Sequence, residues 1–216
     1  MNISTIIKQY FDGNPAPDIA TFDADNIGDV CNNLISGFLN NSAIELSVLQ
    51  SFNYCIYEVL DNVLTHSGKL SGVLISRYSA KDQQIQVLVA DDGMGIHQSL
   101  TENIQYKDFT EKEALSHILL DKVTDGKGMG FGLFSTKNLI TFAGGLMKIA
   151  SGKAKLLYDG HQITVNENDS TMGTIVYLAV KTNCEINAND VVDNRIDCAG
   201  DFNEAFLEDD DLNNLW

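Results

Sequence analysis

Two strand-length apolar patterns follow one another at residues 71–78 and 84–91, with Asp82-Gln83 as the turn between them. A connection that short joins antiparallel neighbours, because a parallel pair needs a crossover of a dozen or more residues. Ahead of this hairpin lie two helical patterns. In the first, about 25–39, Ile27, Val30, Leu34 and Phe38 recur at helical spacing. The second, about 43–66, keeps the 3.6 period through Leu46, Leu49, Phe52, Ile56, Val59/Leu60 and Val63 until Ser67-Gly68 stops it. After the hairpin, residues 97–130 read as loop with one short helix near Glu111–Leu120. A helix follows over 131–142, halted by Gly144-Gly145, and then come strands near 146–151, 153–158 and 172–181.

This order predicts an α+β fold. It is a two-layer α/β sandwich with a mixed, mostly antiparallel sheet and the helices gathered on one face. Residues 1–24 read as a leader, 25–183 as the domain and 184–216 as an acidic tail.

Composition narrows the function. The chain has 216 residues, 44% hydrophobic and 20% charged, which is globular rather than disordered. Its net charge is −16, and ten acidic residues after Asn183 face Arg195 alone. So acidic a chain is repelled by nucleic-acid backbones and by anionic membranes, and neither is expected as a partner. Apolar runs are strand-sized, far short of a membrane span, and residues 1–12 have no secretory pattern, so the chain reads as cytoplasmic. Cys31, Cys55, Cys184 and Cys198 form no CxxC pair and are expected as reduced thiols.

Four groups of residues could carry chemistry. Glu58, Asn62 and His66, at i, i+4 and i+8, form a polar row along one side of the long helix. A carboxylate there can orient or deprotonate a nucleophile, and an amide oxygen is a hard ligand suited to Mg²⁺. His66 can also simply answer the helix dipole. The apolar strand 87–90 then delivers Asp91, followed by Gly93 and Gly95, where backbone can pass close to a flat ligand and Asp91 can accept from an exocyclic amine. Next, Gly126, Gly128, Gly130 and Gly132 alternate into a helical pattern beginning with Leu133, a loop that can turn backbone N–H groups and Lys127 toward phosphates. It is neither a P-loop nor GxGxxG. Last, Gly173-Thr174 opens the final strand, which alone is ordinary.

The order and spacing ExxxNxxxH, DxGxG, GxGxGL and a late Gly-Thr resemble the GHKL ATP-binding superfamily, whose Bergerat-type fold serves gyrase, heat-shock chaperone ATPases, histidine kinases and mismatch-repair ATPases. The resemblance runs from about Asp25 to Lys181. It implies a sandwich holding Mg²⁺–ATP under a lid formed by about 97–127. By position Asn62 matches the Mg²⁺ ligand, Glu58 the residue that activates water or an acceptor, and Asp91 the reader of the adenine amine. Gly93, Gly95 and Thr174 match the base pocket, and Gly128, Gly130 and Gly132 the phosphate end. Within the superfamily the long-helix motif is most similar to small anti-sigma-factor-like serine kinases, while the lid resembles the histidine-kinase form. Many relatives carry a basic residue where Thr65 stands, which puts phosphate contact on Lys127 or Lys122.

With only a short leader and no phospho-accepting helix pair, a whole histidine kinase is not expected, nor a gyrase- or chaperone-type machine. The resemblance leaves a stand-alone regulator that phosphorylates a protein Ser/Thr with Glu58 as base, or an ATPase that uses hydrolysis as a switch. The alternative is a non-catalytic ATP-dependent module that sequesters a protein partner. The acidic tail suits a partner with a basic surface, and a homodimer stays open.

Overall fold

A computed structural model describes residues 2–11, 15–39, 41, 43–127 and 130–192. Its sheet has five strands: β1 (Asp18–Asp23), β2 (Ser71–Ser79), β3 (Gln84–Ala90), β4 (Gly145–Tyr158) and β5 (Ile163–Lys181). They lie in the order β1-β2-β3-β5-β4, and every neighbouring pair is antiparallel. The helices are α1 (Ile3–Tyr10), α2 (Ile27–Leu39), α3 (Leu46–His66), α4 (Gly95–Leu100), α5 (Glu111–His117), α6 (Gly132–Ala143) and α7 (Ala188–Val192), with a 3₁₀ turn at Ile104–Tyr106.

The main core lies between the sheet and the layer built on α2, α3, α5 and α6. Along β3, Ile85, Val87 and Val89 point into it, and Phe52, Ile56 and Leu60 of α3 meet them fully buried. Each such side chain contributes roughly 1.5–3 kcal/mol by leaving water. The helix stops where the sequence says it should, with Ser67 as C-cap and Gly68 at φ 73°.

Several expectations change. Residues 1–24 are not merely a leader, because β1 pairs with β2 along its whole length and α1 covers the opposite face of the sheet. There Ile6 and Phe11 bury against Ile75, Leu88 and Tyr177. The helices are therefore not all on one face. The reason is that β2 and β3 are apolar on both sides: Leu74, Val87 and Val89 face the main core while Ile75, Leu88 and Ala90 face away from it, so both faces need cover.

The stretches 146–151 and 153–158 form one strand, since the register shift at Ser151–Ala154 is a bulge that bends β4 without ending it. The last strand starts at Ile163, not 172. Asp159 closes the turn by accepting from the backbone of His161 (2.9 Å) and Gln162 (2.8 Å), and β4 and β5 run on beyond the sheet as a two-stranded arm. The segment 97–127 is more ordered than a loop, because Leu100, Tyr106, Ala114, Leu115 and Leu119 are core residues.

Residues 184–192, read as tail, also pack on the domain: Val191 is fully buried and its carbonyl accepts from Asn138 Nδ2 at 3.3 Å. Residues 193–216 lie outside the described residues. No helix among the described residues is long and apolar enough to cross a membrane.

Candidate functional site

The C-terminal half of α3, the end of β3, the first turn of α6 and the part of β5 where its pairing with β3 begins converge at one end of the sandwich. They enclose a cavity of about 290 Å³, near the low end of the roughly 300–1,000 Å³ of small-molecule sites. Its walls carry Glu58, Asn62, His66, Asp91, Gly95, Lys127, Gly130, Gly132, Leu133 and Thr174, drawn from segments up to 116 positions apart in sequence.

Asp91 sits at the floor and is 6% exposed. Its Oδ1 accepts from the Gly93 N–H at 2.7 Å, and its own N–H donates to the Thr174 carbonyl at 3.0 Å. Burial pushes the carboxyl above its ordinary value, against the opposing pull of the Gly93 and Thr174 backbone groups. Val89, Ile96, Leu100, Ile118 and Val176 line the wall around it. A buried carboxylate among these apolar side chains suits a heterocycle bearing an amine.

Gly93 does not line the cavity. A Cβ there would fall 2.2 Å from the Ser67 carbonyl oxygen, so its part is to let the end of β3 pack under the last turn of α3. Gly95, at φ 78°, does reach the wall. Gly128 lies outside the described residues.

At the other end, Glu58 and Asn62 face the first turn of α6. A Cβ on Gly132 would come 2.8 Å from Glu58 Oε2 and 3.5 Å from Asn62 Nδ2. The N-cap residue, Phe131, has no side-chain acceptor to offer that turn, so its positive end opens on the two polar groups. Among the described residues no cluster of three or more His, Cys, Asp or Glu groups could hold a metal. The donors present suit an ion that arrives with phosphates and takes one or two protein ligands.

His66 and Lys127 line the cavity but are engaged with acids. His66 Nδ1 lies 2.7 Å from Asp125 Oδ2, and Lys127 Nζ lies 2.8 Å from Glu102 Oε2 and 3.7 Å from Asp125 Oδ2. Asp125 and its second donor, Ser99, are lining residues that sequence reasoning misses. Asp125 falls in a Thr-Asp-Gly turn with no periodicity, and its only signal is its place just before the glycine run.

The two ends thus combine a buried carboxylate beside apolar side chains with a polar, helix-terminated mouth. Residues 49–183, well over half of the chain, match the family described as histidine kinase-, DNA gyrase B-, and HSP90-like ATPase. The chain belongs to that family. The matched span of this ATPase domain begins within α3 and ends just past β5, so it holds every residue lining the cavity. The fold expected of a GHKL-type ATPase, an open antiparallel sheet with a helical layer, is the one observed. Domains of this kind bind ATP, typically with Mg²⁺. A comparison with curated proteins gives no match to the chain.

Proposed function

We propose that the cavity binds Mg²⁺–ATP and that Glu58 activates the acceptor of its γ-phosphate, either water or a Ser/Thr hydroxyl on a protein partner. The observation that carries this reading is the placement of the Glu58 carboxylate beside the open first turn of α6, at the far end of one cavity from Asp91. That separation suits a nucleotide lying with its base on Asp91 and Thr174 and its phosphates toward Gly130, Gly132 and Leu133. Asn62 would hold the ion through its side-chain oxygen, the carbonyl end being one of the two orientations of the amide. Mg²⁺, when bound, neutralises and orients phosphate oxygens.

In this reading each residue of the chain has a limited task. Asp91 accepts a hydrogen bond from the adenine amine, and the apolar wall keeps water from competing for it. Glu58 takes the proton of the attacking hydroxyl. The segment 97–127 acts as a lid over the phosphates. The acidic residues beyond 192 suit recognition of a partner with a basic surface, which makes a regulatory serine/threonine kinase or an ATP-driven switch the working assignment.

The test is ADP formation from Mg²⁺–ATP by the purified protein, beside Glu58→Ala. Turnover that falls by about 10²–10⁴-fold in the variant is the expected result and gives Glu58 its role. Bound but intact ATP in both proteins would instead make the chain a nucleotide-dependent binding module.

A further inference from the structure

We infer that Asp125 and Glu102 form an acidic latch that occupies the cations of the phosphate end, so that nucleotide enters by exchange for it. The inference rests on reading the cavity as a nucleotide site. Of the lining residues four are acids (Glu58, Asp61, Asp91 and Asp125), and only His66 and Lys127 are basic. Those two are the lining cations open to a triphosphate, and both are held by carboxylates.

The latch is built to a standard that chance surface pairing does not reach. The Asp125 side chain is only 2% exposed. Its Oδ2 is shared by His66 Nδ1 at 2.7 Å and by the donated hydroxyl of Ser99 at 2.7 Å, while Oδ1 accepts from the Lys127 N–H at 2.9 Å. Burial opposes its ionisation, yet these donors together hold it below the ordinary carboxylate value. One residue thereby ties the end of α3, α4 and the start of the glycine run to a single point. Two further contacts fasten the same segment: Lys127 Nζ to Glu102 and Asn103 Nδ2 to the Thr124 carbonyl at 2.9 Å.

In this arrangement Asp125 stands where it would repel a triphosphate, and a phosphate oxygen would offer His66 and Lys127 what the carboxylates offer now. The two sets of contacts exclude one another. Nucleotide binding and latch opening are therefore linked, and weakening the latch tightens nucleotide by up to the same factor.

The experiment measures Mg²⁺–ATP affinity and amide hydrogen exchange in the full chain, in Asp125→Asn and in Glu102→Gln. Without nucleotide, Asp125→Asn is expected to speed exchange across 121–127 while 84–90 stay protected. It should bind Mg²⁺–ATP about fivefold tighter or better. Glu102→Gln, which touches only a half-exposed pair, should tighten binding by about twofold and covers the case in which Asp125→Asn folds poorly. Unchanged exchange in Asp125→Asn, or affinity equal to or below that of the parent in both variants, overturns the latch and leaves the nucleotide site standing. Absence of Mg²⁺–ATP binding by all three proteins overturns both.

Discussion

Glu58 Oε2 lies 2.8 Å from where a Cβ on Gly132 would sit, and Glu58 Cβ lies 2.9 Å from the same point. The carboxylate end could swing aside, but the Cβ is fixed to α3, so a side chain at 132 forces the two helices apart. Gly132→Ala is expected to destabilise the fold by about 1–3 kcal/mol, as overpacking does. It should also weaken Mg²⁺–ATP binding, because the first turn of α6 moves with it. Urea unfolding and nucleotide titration check the two effects. A variant as stable as the parent would mean that α6 does not press on Glu58.

Asp91 sets stability against function. Its folded value lies above the ordinary 3.8 because burial disfavours its charge. The stability gained from its protonated form is thus fully present below 3.8, and is lost as pH rises through the folded value. Above its folded value the wild type carries a buried charge that Asp91→Asn lacks, so there the variant should have the higher urea midpoint, with the gap closing in acid. Mg²⁺–ATP affinity should move the other way. The Asn side chain can place an N–H toward the adenine amine, and a mispaired buried donor costs about 1–3 kcal/mol. A variant that binds ATP as well as the parent would remove Asp91 from the base pocket.

The spacing along α3 and the glycines around Asp91 and Gly132 made the cavity legible, because helical and strand periods fix which side chains face one way. Asp125 was illegible for the opposite reason: it sits on a turn, and its meeting with His66, 59 residues away, exists only after folding. The strand β1 hides for another reason, since Asp18, Thr21 and Asp23 break up an edge that buries only Phe22 deeply. The arm of β5 at 166–170 carries no strand pattern because Asn166, Glu167, Asn168, Asp169 and Ser170 are polar throughout. Backbone pairing with β4, rather than burial, holds the stretch through Glu167 in the strand.

In the proposed Mg²⁺–ATP reading, Asn62 joins metal to protein at the phosphate end. Asn62→Ala is expected to lower affinity for Mg²⁺–ATP by at least about tenfold, while leaving the weaker affinity for ATP in chelator nearly unchanged. Calorimetric titration of both proteins, with Mg²⁺ and with chelator, separates the two. Equal losses with and without the ion would mean that Asn62 contacts the nucleotide itself. No loss at all would move the ion elsewhere.

Phe11 tests whether the N-terminal segment belongs to the domain. Its ring is 4% exposed, meets the edge of Tyr177 at 5.7 Å between centroids and carries the Arg77 guanidinium at 5.4 Å. Arg77 is itself buried, and besides the ring it donates to Gln86 Oε1 at 2.7 Å and to the Pro15 carbonyl at 3.2 Å. Phe11→Ala therefore removes a large core side chain and one support of a buried cation together. The expected cost is about 3–5 kcal/mol of unfolding free energy. Because α1 covers the face of the sheet opposite the helical layer, affinity for Mg²⁺–ATP should stay at the parent value wherever the variant is folded. Urea unfolding at 25 °C, followed by nucleotide titration below the transition, reads both quantities. A loss of affinity greater than the loss of folded protein would mean that the two faces of the sheet are coupled, and unchanged stability would mean that α1 does not hold the sheet.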